Sequence, residues 1–147
     1  MTSVGGAPTE MVLEEMDRDE SLGLLRTQPI GRLAIPDHGH YPPHIVPVNF
    51  VVDGEAVVFR SDVGLKFKLS ILAEHSVSFE VDSVDPEGRM AWSVVVQGTV
   101  DEITDSDTWF AESLRNEAAR TWIRGPADHY LRITASKVSG RLLPAPP

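Results

Sequence analysis

The sequence predicts a mainly β protein, an antiparallel barrel of about six to seven strands with two or three short helices. Three observations predict it. Eleven Gly and eleven Pro in 147 residues supply frequent turns. The apolar residues fall in short runs, and two of these flank an Asp53-Gly54 pair, a hairpin signal because both residues tolerate positive φ. Strand-like runs outnumber helical ones, and closure is the natural way for many short antiparallel strands to hide their edges.

Each element has its own reason. Asp17 to Gln28 reads as a short helix, with Asp19 or Ser21 as cap, Leu22 and Leu25 on one face, and Pro29 as the stop. Ile30 to Ile35 is a first strand. Asp37-His38-Gly39-His40 is turn chemistry, followed by a strand from His44 to Val52 and a return strand from Glu55 to Ser61. From Gly64 to Glu74 the period changes, with Leu65, Leu69 and Leu72 at helical spacing. Val77 to Val81 is a strand, Asp85-Pro86-Glu87-Gly88 a turn, and Ala91 to Ile103 a long Val-rich strand. Asp105 to Ile123 reads as a helix containing Trp109 and Trp122, ended by Gly125-Pro126, and His129 to Leu143 as a last extended segment. Residues 1–15 form a flexible N-terminal segment, 16–143 a single domain, and 144–147 a flexible tail.

Composition excludes several functions. Lys and Arg number 13 against 22 Asp and Glu, a net charge of −9, which disfavours nucleic acid and an anionic membrane surface as partners. The absence of cysteine rules out disulfides, thiolate metal sites and a catalytic thiol, and fits a reducing cytoplasm. The first 20 residues lack a basic and then apolar leader, and no apolar run approaches the roughly 18 residues of a membrane span. A cytoplasmic protein is expected.

Two segments stand out chemically. In the strand from His44, Val46, Val48, Phe50 and Val52 share an apolar face, while Ile45, Pro47, Asn49 and Val51 share the other. Pro47 cannot donate to a ladder and marks an edge or bulge. Beside the Asn49 amide, such an interruption can leave backbone groups for a planar ligand; the plainer reading is an edge strand with an incidental Asn. The second segment is Phe59-Arg60-Ser61-Asp62-Val63-Gly64-Leu65-Lys66-Phe67-Lys68, where three cations and a hydroxyl run from a strand end into a helix start. Exposed N–H groups and the helix dipole favour an anion there, with Arg60 gripping phosphate oxygens and Ser61 and Lys66 completing the cage. A solvated basic patch is the alternative.

Trp92 and Ser93 open the Val-rich strand, where the indole can stack on a ring and the hydroxyl can donate; a packing Trp is the commoner fate. Gln97-Gly98 suggests a bulge. His38, His40 and His44 have loose metal-ligand spacing, but Tyr41-Pro42-Pro43 stiffens the connection and no metal site is expected. No G-x-S-x-G, G-x-G-x-x-G, Walker A or H-E-x-x-H pattern occurs, so a cofactor that does its own chemistry is the natural route to activity.

Taken in series, Gly31-Arg32-Leu33-Ala34, Val46-Pro47-Val48-Asn49-Phe50, Val58-Phe59-Arg60-Ser61, Gly64-Leu65-Lys66, Phe79-Glu80-Val81-Asp82 and Trp92-Ser93-Val94-Val95-Val96-Gln97-Gly98 resemble the pyridoxamine 5′-phosphate oxidase-like family, in its nitroimidazole-reductase-like branch. The resemblance covers residues 20–103 and implies an FMN-binding split barrel that works as a homodimer with the cofactor shared between chains. It implies phosphate contacts from Arg60, Ser61 and Lys66, with Lys68 as a further candidate. Ring contacts are implied from Pro47, Val48, Asn49 and Phe59, and from Trp92 and Ser93 of the partner subunit or the adjacent strand. Two departures matter. Leu65 stands where the oxidases carry the first of a basic pair. The chain ends Val138-Ser139-Gly140-Arg141-Leu142-Leu143, without the C-terminal Trp and Arg motifs that hold pyridoxal phosphate, which argues against vitamin-B6 oxidation. The implied activity is FMN-dependent hydride transfer to an unidentified small-molecule substrate. The alternatives are a deazaflavin (F-420)-dependent reductase and a non-catalytic flavin or haem binding protein, with His44 or His75 as the available axial ligands for haem.

Overall fold

The computed structural model describes residues 14–37, 39, 41–61, 63–72, 76–85, 87, 90–103 and 129–144. In chain order the elements are β1 (Glu14–Met16), α1 (Arg18–Leu25), β2 (Ile30–Ile35), β3 (His44–Asp53), β4 (Ala56–Ser61), α2 (Val63–Leu72), β5 (Ser76–Asp85), β6 (Met90–Glu102) and β7 (His129–Pro144). All strands pair antiparallel in the order β1-β7-β4-β3-β2-β5-β6, and a further β7–β6 pairing closes six of them into a barrel with β1 added alongside β7. The expected split-barrel class is therefore observed. No helix among the described residues is long and apolar enough to cross a membrane.

Alternation along the strands decides what is inside. Leu33 and Ile35, Val57 and Phe59, Phe79 and Val81, and Val94 and Val96 all turn inward and are essentially inaccessible. Phe50 and Phe79 meet edge to face, with ring centroids 4.9 Å apart. Leu22 and Leu25 of α1 join the same core. The cap of α1 is Asp17, whose Oδ1 accepts from the Glu20 N–H at 2.8 Å, so the expected Asp19 or Ser21 cap is corrected. Asp17 is the residue with extended backbone, at ψ 172°, while Asp19 and Ser21 are already helical.

One connection differs from expectation by a residue. Asp53 pairs with Ala56, so the hairpin loop is Gly54-Glu55 rather than Asp53-Gly54, with Gly54 at φ 58° in the first central position. Arg18 grips Glu55 at 3.0 and 3.2 Å, and Arg26 donates to the Gly54 carbonyl, tying α1 to this hairpin. The strand β1 was not legible, and it begins just inside the boundary drawn at residue 15; Glu14, Glu15 and Met16 pair with Leu142, Arg141 and Gly140.

The expected bulge is present. The β6–β7 register shifts between Gln97 and Gly98, leaving Ser136 without a cross-strand partner, and its hydroxyl donates to the Gln97 carbonyl at 3.0 Å. A Cβ on Gly98 would lie 2.0 Å from the Thr134 carbonyl oxygen, so the close approach of the two backbones requires glycine. The helix expected over 105–123, with Trp109 and Trp122, lies outside the described residues, as do His38, His40 and His75.

Candidate functional site

The basic segment sits where the sequence predicts a change of structure. β4 ends at Ser61 and α2 starts at Val63, so one turn separates a strand end from a helix start. Arg60 is half-buried on the outward face of β4, opposite Tyr130 of β7; Ser61 turns inward and is 3% exposed. Lys66 on α2 pairs with Glu102 at the end of β6, Nζ to Oε2 2.9 Å, and both side chains stay partly exposed. Lys68, also on α2, is exposed. Three of the four polar residues singled out in this segment thus gather at one barrel end, where β4, α2 and the end of β6 meet.

β3 passes the same end. In its ladder with β2, Asn49 faces Ile30 and Pro47 faces Arg32, both on the outward side of the barrel. One step beyond the paired Phe50 and Phe59, Asn49 comes opposite Arg60. Asn49 is 6% exposed, and its Oδ1 has no hydrogen-bond partner. Pro47 is exposed, whereas Val48 and Phe59 point into the core at 4% and 1% exposure. Val48 and Phe59 therefore offer a ligand outside the barrel their backbone rather than their side chains.

Trp92 and Ser93 lie elsewhere in the same chain. Trp92 turns inward with Val94 and packs on the core, while Ser93 points outward between Asp82 and Arg141. They pair with Leu142 and Arg141 far along β7, whereas Arg60 pairs with Tyr130 near its start. One protomer does not bring them to the basic turn.

The outward face carries a carboxylate cluster that sequence reading did not single out. Glu80 on β5 lies between Arg32 of β2 and Val95 of β6, with Asp82 two residues along on the same face. Arg32 pairs with Asp82 at 3.4 Å. Glu80 Oε1 is buried without a partner. Burial first, then a hydrogen bond from its carboxyl to Asp82 and the charge of Asp82, raise the Glu80 pKa to about 7, against an opposing pull from Arg32. Only the cross-strand register reveals this environment. At the other end of β2, Ala34, Pro36, Pro43, Ser78 and Gln97 line an open cavity of about 380 Å³. Its lining has no charged side chain, although the Asp37–His44 pair, 3.6 Å apart, directly adjoins the lining residues Pro36 and Pro43 in sequence.

Fold and site define a class: a closed antiparallel barrel with a cationic strand-to-helix turn and a buried amide on the neighbouring strand. The chain belongs to the pyridoxamine 5′-phosphate oxidase family, whose model matches residues 17–142. Among solved structures it is similar to the FAD binding protein of Mycobacterium smegmatis, with 27% identity over 88% of this chain and 98% of that one, TM-score 0.67. It is also similar to a FAD-binding protein of Mesorhizobium loti, with 26% identity over 90% and 99%, TM-score 0.73. An uncharacterised protein of Mycobacterium tuberculosis is 33% identical over 97 residues, 63% of this chain; the match spans 62% of that relative's length.

Proposed function

We propose that the chain is a flavin-dependent oxidoreductase that grips the FMN moiety of its cofactor at the β4–α2 turn. The carrying observation is the meeting of Arg60, Ser61 and Lys66 at one barrel end beside Asn49. The residues fit the group. A dianionic phosphate suits a guanidinium, an ammonium and the positive end of a ten-residue helix. Glu102 holds the Lys66 ammonium at this end of the barrel, so the cation is pre-positioned rather than free to sweep through solvent.

When bound, a flavin supplies the hydride chemistry itself. The chain's own residues then bind and orient. Arg60 and Lys66 hold the tail, with Ser61 offering its backbone, and the outward backbone near Pro47 and Val48 supports the ring. The two FAD-binding neighbours, both above 25% identity, support a flavin nucleotide, and the FMN half is common to FMN and FAD.

The functional unit is a homodimer in this reading. Ile45 and Val84 on the outward face are 69% and 70% exposed, and half-buried Ile30, Ala34 and Val95 lie on the same face. Trp92 and Ser93 reach a cofactor at the basic turn only from a second copy. Sedimentation showing only a 16.1 kDa species at micromolar concentration overturns the dimer.

Titration of the apoprotein with FMN, FAD, riboflavin, the deazaflavin coenzyme and haem, read by absorbance and fluorescence, tests the function. Arg60→Ala and Lys66→Ala are each expected to weaken FMN by about 1.5–3 kcal/mol, the usual worth of a charged hydrogen bond, and to leave riboflavin unchanged. Equal losses for both ligands remove the phosphate from the turn. Preference for haem or the deazaflavin over every flavin overturns the cofactor.

A further inference from the structure

We propose that a cleft on the outward face, where β2 ends beside β5 and β6, binds an uncharged, partly apolar small molecule whose polar edge is read by the Gln97 side-chain amide. The inference goes beyond the flavin reading and does not depend on it.

The cleft follows from residue size. Ala34 of β2 pairs with Ser78 of β5, and Ser78 with Gln97 of β6; Ser76 lies one side-chain step further along the same face. Ala34, Ser76 and Ser78 are small, whereas Arg32 and Glu80, the next outward pair in the ladder, are large. The small side chains leave a hollow. Pro36 and Pro43 wall the end of it beyond Ile35 and His44, the last pair of the β2–β3 ladder, and neither proline has an N–H to extend that ladder. The result is the open cavity of about 380 Å³, within the roughly 300–1,000 Å³ of small-molecule sites.

Its polar groups are positioned but not used up. Gln97 stands at the β6 bulge, where its carbonyl accepts the Ser136 hydroxyl at 3.0 Å and the next residue, Gly98, lies tight against Thr134. Gln97 Nε2 donates to Ser78 Oγ at 3.4 Å, its only side-chain hydrogen bond among the described residues. A side-chain amide has two N–H donors and a carbonyl, so Oε1 and one N–H are left to meet a ligand's own donor–acceptor edge. The charged groups nearest along the strands are engaged elsewhere: Arg32 with Asp82 at 3.4 Å, Asp37 with His44 at 3.6 Å, and Glu80 with Asp82. A charged ligand would lose water in the cleft without gaining a counter-ion. Lys137 faces Gln97 across the β6–β7 ladder but does not line the cleft.

Benzamide, benzoate and benzamidinium share a ring and a planar head and differ in charge. Each is titrated into the full chain, with and without FMN, and binding is read from backbone amide chemical shifts. Millimolar benzamide binding is expected for so small a molecule, with shifts centred on Ser76, Ser78 and Gln97, and both ions should bind at least about fivefold more weakly. Gln97→Glu, at an exposed position, is expected to reverse the order in favour of benzamidinium. Ala34→Leu fills the hollow and should weaken benzamide about tenfold or more; if that variant does not fold, the Gln97→Glu reversal still decides.

Equal affinity for the three molecules overturns the inference, as does tighter binding of benzoate, which assigns the site to Lys137. So do shifts centred elsewhere, or no benzamide binding by wild-type protein, the result expected if a second copy fills the cleft. Displacement of benzamide by FMN assigns the cleft to the cofactor and also overturns it. Failure of FMN itself to bind strikes the proposed function alone, and the benzamide series then decides the cleft.

Discussion

Replacing Glu80 with Gln tests whether the outward carboxylate cluster holds a proton at neutral pH. The folded protein raises the Glu80 pKa from 4.5 to about 7. A folded value above the unfolded one means that the protonated form is favoured in the fold. That stabilisation is complete below about pH 4.5 and is lost as pH rises through about 7. At about 1.36 kcal/mol per pH unit the upper bound is about 3.4 kcal/mol. Glu80 is only half-buried, so solvent screening leaves about 1–2 kcal/mol. In Glu80→Gln the side chain is neutral at every pH and its amide can donate to Asp82 as the protonated carboxyl does. The variant is therefore expected to match wild type near pH 5 and to exceed it by about 1–2 kcal/mol at pH 8. Urea unfolding followed by tryptophan fluorescence, at fixed protein concentration and at pH 5, 6, 7 and 8, measures the difference, in which histidine contributions common to both proteins cancel. Parallel curves for the two proteins between pH 6 and 8 refute the shared-proton reasoning.

Two further perturbations probe the scaffold. Gly98→Ala places a Cβ 2.0 Å from the Thr134 carbonyl oxygen, so β6 or β7 must shift; a loss of about 2–3 kcal/mol in urea unfolding is expected, and an unchanged midpoint would show that the bulge tolerates a side chain. Asp17→Ala removes the 2.8 Å cap on α1 and should cost about 1 kcal/mol, a fall of roughly 3 °C in thermal midpoint; an identical midpoint contradicts the cap.

What the sequence made legible was periodicity. The alternation of Val46, Val48, Phe50 and Val52, and of Val94 and Val96, carries enough burial to set strands and faces without long-range information. The same alternation places Phe59 with Val57 inside the barrel and separates Trp92 from Ser93, so a list of ring contacts that ignores strand parity mixes the two faces. Asn49 was visible as the lone polar side chain in an apolar strand; its orphan oxygen was not, because that depends on what every neighbour does. β1 escaped detection because Glu14 and Glu15 have no apolar pattern, and their strand is imposed by pairing with β7. The α1 cap was ambiguous because Asp17, Asp19 and Ser21 are all good capping residues, and backbone conformation alone chooses among them.

The placement of unsatisfied atoms bears on function more directly than composition does. Among the described residues, inward-facing polar groups are accounted for: the buried Ser21 hydroxyl donates to the Asp17 carbonyl at 2.7 Å, and Ser61 also has a partner. The two orphan oxygens, on Asn49 and Glu80, both lie outward, on the strands that flank β2 on either side. Both lie outside the hydrophobic core, so neither acceptor is a by-product of filling it. Each costs about 1–3 kcal/mol if left empty, out of a net stability of roughly 5–15 kcal/mol for a domain. Among the described residues, the outward face keeps two such costs and the interior keeps none.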